Sequence, residues 1–122
     1  MEHTEKILVA EDEAVTAIFI SRTLKSKGYS VTLTRTGKEA LKEIEATHYN
    51  LVLLDIGLPD MKGTELLKII RETDHDLIVI MIIGNPKLYT SIDYANYGAD
   101  GYIVKPIQGI DLLDMVDELI HF

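Results

Sequence analysis

The chain has 122 residues, 47% of them hydrophobic, no cysteine and a formal net charge of −8. That supports one cored domain over residues 1–122 and argues against disorder, nucleic-acid binding or an anionic membrane surface. Thiolate metal centres and disulfides are excluded, no apolar run reaches the ~20 residues of a membrane helix, and Met1 to Lys6 lacks the apolar centre of a secretion signal, so the expected location is the reducing cytoplasm.

Lys6 to Ala10 is a short β-rich run that ends in Glu11-Asp12-Glu13. From Ala14 to Lys27 the spacing predicts a helix with Val15, Ile18, Phe19 and Leu24 as its apolar stripe, stopped by Gly28. Ile18 and Ile20 broaden that stripe and suit either core packing or a partner. Tyr29 to Arg35 alternates, with Val31 and Leu33 on the drier face. Thr36-Gly37-Lys38-Glu39 is a capping box opening a helix with Ala40, Leu41 and Ile44 inward. Leu51 to Leu54 is wholly apolar and runs into Asp55, where Gly57 and Pro59 end it; such a run reads as a strand buried on both faces. A helix over Thr64 to Glu72 follows, then an apolar strand over Leu77 to Ile83 broken by Gly84-Asn85-Pro86. Pro86 opens a helix with Leu88, Ile92 and Ala95 on one face, closed by Gly98. Gly101 to Val104 is the last strand, and Gly109 to Ile120 the last helix, with Leu112, Leu113, Val116 and Leu119 inward.

Strand and helix alternate five times. This predicts an α/β fold: a single doubly wound, five-stranded parallel sheet, order 2-1-3-4-5, flavodoxin-like, with its switch point between the first and third strands. Those strands end in Glu11-Asp12 and in Asp55, so three carboxylates should meet at one sheet edge. Unneutralised, they would repel and raise at least one pKa. Lys105, after the fifth strand, is one candidate cation. A hard divalent ion, Mg²⁺ or Mn²⁺, is the other, because the donors are all oxygen. His3, His48, His75 and His121 are scattered and form no ligand set. Carboxylates, a hard ion and a lysine suit phosphoryl transfer, with Asp55 as the attacking group and Glu11 and Asp12 as metal ligands.

Glu11-Asp12, the segment from Leu53 to Gly63 and the segment from Gly98 to Pro106 resemble the receiver domain of two-component response regulators, over essentially the whole chain. The resemblance implies that Asp55 accepts a phosphoryl group from a phosphohistidine on a sensor histidine kinase or phosphotransfer protein. Glu11, Asp12, Asp55 and the backbone carbonyl of Gly57 would hold Mg²⁺, and Lys105, before a cis Pro106, would contact the phosphoryl group. Tyr102 would be the aromatic switch, relaying the signal through the surface of the fourth helix, fifth strand and fifth helix. Read from spacing alone, Tyr94 and Tyr97 stand three apart on the flank of the fourth helix's apolar face, as packing or rim residues or, where exposed, as a docking surface for a partner or, in a homodimer, a second copy. Such a domain is not an enzyme with an external substrate; it assists only its own phosphorylation and hydrolysis.

One position departs. The family carries Thr or Ser after the fourth strand, where this chain has Ile83, which cannot donate a hydrogen bond. Asn85 is the candidate substitute donor. The alternative function is a pseudo-receiver, a protein-interaction module with impaired switching. An aspartyl-nucleophile phosphatase would want a second acid at position 57, which is Gly.

Overall fold

The computed structural model describes residues 4–74, 76–84 and 98–121. Five strands, β1 (Lys6–Ala10), β2 (Ser30–Thr34), β3 (Leu51–Asp55), β4 (Ile78–Ile83) and β5 (Gly101–Val104), form one parallel sheet in the order β2-β1-β3-β4-β5. Four helices are described: α1 (Ala14–Lys25), α2 (Gly37–Ala46), α3 (Gly63–Thr73) and α4 (Gly109–Ile120). Of the helix expected from Pro86 to Gly98, residues 86–97, with Leu88, Ile92, Ala95, Tyr89, Tyr94 and Tyr97, lie outside the described residues.

Strand side chains alternate between faces, so β1, β3 and β4 each feed two cores. Ile7, Val9, Leu51, Leu53, Ile80 and Ile82 pack with Ile20 and Leu24 of α1 and Leu112 and Val116 of α4. Leu8, Ala10, Val52, Leu54, Val79, Met81 and Ile83 pack with Ala40 of α2 and Leu66, Leu67 and Ile70 of α3. Every residue of β3 is buried. At ~1.5–3 kcal/mol for each fully buried aliphatic side chain, its Leu51 to Leu54 and the Val79 to Ile83 run of β4 together anchor the centre of the sheet.

Two expected faces are corrected. In α1 the buried stripe is Ala17, Ile20, Ser21 and Leu24; Val15 is 79% exposed, and Ile18 and Phe19 are exposed beside it. Both stripes have helical spacing, and periodicity alone cannot choose between them. The sheet takes the one with small residues, which lets the helix lie close. In β2, Leu33 is exposed while Thr34 is buried and donates its hydroxyl to the Val9 carbonyl (3.1 Å). An edge strand is covered on only part of each face, so alternation is a weaker guide there.

The entry to β5 is fastened. Asp100 pairs with Val79 in both directions, N–H to carbonyl at 2.8 Å and carboxylate from N–H at 2.9 Å. Arg71, at the end of α3, bonds the same carboxylate (2.8 Å) and the carbonyls of Gly98 (2.9 Å) and Leu77.

Gly63, at the start of α3, lies against the end of β3. A Cβ there would stand 2.6 Å from Ile56 Cα and 3.1 Å from the Asp55 carbonyl oxygen, and backbone cannot yield as a side chain can. Gly63→Ala should therefore destabilise by about 1–3 kcal/mol, outweighing the helix propensity of alanine (~1 kcal/mol). The check is a urea midpoint that falls at constant slope; an unchanged midpoint would show that the close approach is not constraining.

Candidate functional site

Strands β1 and β3 are hydrogen-bonded neighbours, and both end at the same sheet edge. Their terminal acids meet there. One carboxylate oxygen from each of Glu11, Asp12 and Asp55 lies within 4.8 Å of the others. Glu11 and Asp55 are buried, at 1% and 5% exposure, and Asp12 is half-buried. Local structure aims them: the Gly57 N–H donates to Asp55 Oδ1 (3.0 Å) and the Glu13 N–H to Glu11 Oε2 (3.1 Å).

Lys105 reaches in from the far side of β4. Its backbone N–H donates to the Ile83 carbonyl (2.8 Å), which holds the end of β5 against β4, and its bond to Pro106 is cis. The ammonium Nζ stands 2.8 Å from Glu11 Oε1, 3.5 Å from Asp55 Oδ2 and 3.9 Å from Glu13 Oε1. The tight ion pair is thus with Glu11 rather than with Asp55. Glu13, which the motifs did not single out, joins the cluster because the first turn of α1 starts beside it.

The charges do not balance. Burial pushes the Glu11 carboxyl up from 4.5 to about 7, and the neighbouring Asp55 adds to the rise against the opposing pull of Lys105 and the Glu13 N–H. Burial alone would lower Lys105, but Glu11, Asp55 and Glu13 together hold its ammonium above the ordinary lysine range. One lysine therefore does not neutralise the set. Glu11 Oε1 is buried and, although Nζ is only 2.8 Å away, accepts no well-directed hydrogen bond. A hard divalent cation fits this donor set: oxygen ligands, excess negative charge and a buried carboxylate oxygen that receives no directed hydrogen bond.

The switch positions are only partly visible. Ile83 is 2% exposed and belongs to the core between the sheet and α2 and α3. Tyr102 is 42% exposed on β5. Asn85 lies outside the described residues. An open groove of about 490 Å³, lined by Val15, Phe19, Gly84, Lys105, Pro106 and Ile107 among others, runs from the exposed face of α1 to the lysine.

The sequence profile of the response regulator receiver domain matches residues 7–117. This chain belongs to the response regulator receiver family. It is 39% identical over 108 residues to the transcriptional regulatory protein DltR of Streptococcus agalactiae, covering 88% of this chain and 48% of that protein. It is 36% identical over 116 residues to the response regulator ArlR of Staphylococcus saprophyticus, covering 95% and 52%. The chain thus spans about half the length of the curated relatives it matches. Among solved structures, a CheY-like receiver domain protein from Methanospirillum hungatei superposes with a TM-score of 0.91 at 36% identity, covering 98% of this chain and 95% of that one. The response regulator TrrA of Thermotoga maritima, solved in complex with Mg²⁺-BeF, gives 0.84 at 30% identity, covering 95% and 99%. The receiver is therefore part of a two-component system, and its acidic cluster fits Mg²⁺.

The raised Glu11 carboxyl has a measurable consequence. Between 4.5 and about 7 the folded receiver holds a proton that the unfolded chain has lost. This group's contribution to stability is full below the lower value and is lost as pH rises through the upper one. In metal-free protein, Glu11→Gln should gain melting temperature relative to wild type as pH is raised from about 5 to about 8, and level off above. Parallel melting profiles for the two proteins would contradict the burial argument.

Proposed function

We propose that this receiver takes a phosphoryl group onto Asp55 from a phosphohistidine on a sensor histidine kinase or phosphotransfer protein. The observation that carries the reading is the meeting of Glu11, Asp12, Asp55 and Lys105 from three strand ends, with Nζ 3.5 Å from Asp55. Glu11, Asp12, Asp55 and the Gly57 carbonyl would hold Mg²⁺ or Mn²⁺, which when bound supplies positive charge to the phosphoryl oxygens. A carboxylate oxygen of Asp55 attacks phosphorus. The P–N bond to the donor histidine breaks, its electron pair leaves with the imidazole, and an acyl phosphate forms on Asp55. Lys105, held above its ordinary range, stays cationic and turns from Glu11 toward the new phosphoryl oxygens. The groove along Val15 and Phe19 gives a donor protein an apolar approach to the lysine.

The same acids argue against a binding-only module, since a chain freed from phosphorylation has no need to keep three carboxylates and a lysine crowded together. Output would pass through the surface of β5 and α4, to a following effector or to a second copy. With Ile83 buried and without a hydroxyl, Tyr102 receives no pull from that position.

Acetyl phosphate with Mg²⁺ should add one phosphoryl group to the intact mass of the wild type and none to Asp55→Asn; a wild type that gains no mass over hours would overturn the proposal. Mg²⁺ should also raise the melting temperature, by about 2.7 kcal/mol of stability at a hundred times its dissociation constant, and Asp12→Asn should lose most of that gain. For the switch, Ile83→Thr restores a donor worth about 1.5–3 kcal/mol to a charged acceptor. Its Tyr102 ring resonances should therefore shift further than those of wild type on adding beryllofluoride. Equal shifts would show that position 83 does not govern the tyrosine.

A further inference from the structure

The loop after β3 is tied to a helix that takes no part in the acid cluster. Asp60 Oδ1 accepts the Gly37 N–H at 2.8 Å, and Oδ2 accepts the Lys38 N–H at 3.0 Å. Thr36 accepts the Glu39 N–H at 3.1 Å. Three of the four N–H groups that a helix leaves unpaired at its start are thereby satisfied in α2, two of them by a residue from another part of the chain. These amides hold the Asp60 carboxyl below its ordinary range. Met61, the next residue, lies so close to Gly37 that a Cβ there would stand 2.5 Å from Met61 Cγ. The loop is also fixed at its ends, by the Gly57 N–H on Asp55 Oδ1 and by the Gly63 N–H on the Ile56 carbonyl (2.9 Å).

We infer that Asp60 is a positioning residue for the metal site, holding the loop that carries the Gly57 carbonyl against the first turn of α2. The inference rests on the proposed role of that carbonyl as a metal ligand. Asp60 lies three residues beyond Gly57 and is turned onto α2, so it touches neither the metal donors nor the phosphoryl group. It acts by restricting the loop. Fastened, the loop presents the carbonyl in one place; released, it must be ordered each time the ion binds, and affinity falls. Coupling of this kind is reciprocal, so the ion should in turn tighten the cap.

The experiment is a calorimetric Mg²⁺ titration of the whole chain as wild type, Asp60→Ala, Asp60→Asn and Asp60→Glu. Asp60→Ala should bind about tenfold more weakly, as is typical when a group behind a ligand is lost. Asp60→Asn, whose single carbonyl oxygen can accept from α2, should fall between. The labelling deficit of Asp60→Ala with acetyl phosphate should narrow as Mg²⁺ is raised. If Asp60→Glu matched wild type while Asp60→Asn matched Asp60→Ala, the charge alone would be acting and the inference would fail. Hydrogen exchange on the wild type gives a test free of any variant: Mg²⁺ should slow exchange at the Gly37 and Lys38 amides, and unchanged rates would overturn the idea. A wild type that binds no Mg²⁺ would sink the metal site itself; a wild type that binds, with Asp60→Ala binding equally well, would sink this inference alone.

Discussion

An ammonium group shared among buried carboxylates is the constraint that shapes this receiver. A buried ion left without a partner costs several kcal/mol, so Glu11 and Asp55 can sit at the sheet edge only if positive charge comes to them. Lys105 brings it from the other side of β4, 2.8 Å from Glu11 and 3.5 Å from Asp55. The shortfall that remains, visible in the raised Glu11 carboxyl, leaves a donor set that fits a divalent ion. Stability and chemistry are opposed here. The fold tolerates an under-neutralised cluster because two cores hold the strands that carry it.

Much of this was legible beforehand, and the reasons are physical. Apolar runs such as Leu51 to Leu54 have one comfortable place in an α/β fold, the centre of a parallel sheet, and strand order then brings Asp55 beside Glu11 and Asp12. Capping chemistry is local as well: Thr36 accepts from Glu39 as its spacing predicts. What sequence could not settle was a choice between equivalents. The first helix carries two apolar stripes, and only the sheet decides which is covered. Leu33 follows the strand alternation yet stays exposed, because an edge strand lacks full cover.

Contacts between distant residues were the other blind spot. Asp60 follows a proline in a turn, and nothing nearby marks it as the cap of a helix that begins 23 residues earlier. Glu13 reads as one more acid ahead of the first helix, although its amide orients Glu11 and its carboxylate stands 3.9 Å from Lys105. Arg71 looks like a charge on the outer face of α3, yet it binds carbonyls on the way into β4 and β5. Each is a polar side chain satisfying backbone groups of another element, and such pairings leave no periodic trace in a sequence.

The fastening of β5 has a mechanical consequence. Asp100 locks its entry to Val79 and Arg71, and the Lys105 amide locks its exit to Ile83. A four-residue strand riveted at both ends cannot slide along its neighbour without breaking several bonds at once. Rotation of an exposed side chain on it, such as Tyr102, breaks none of those bonds and so costs far less than moving the backbone beneath.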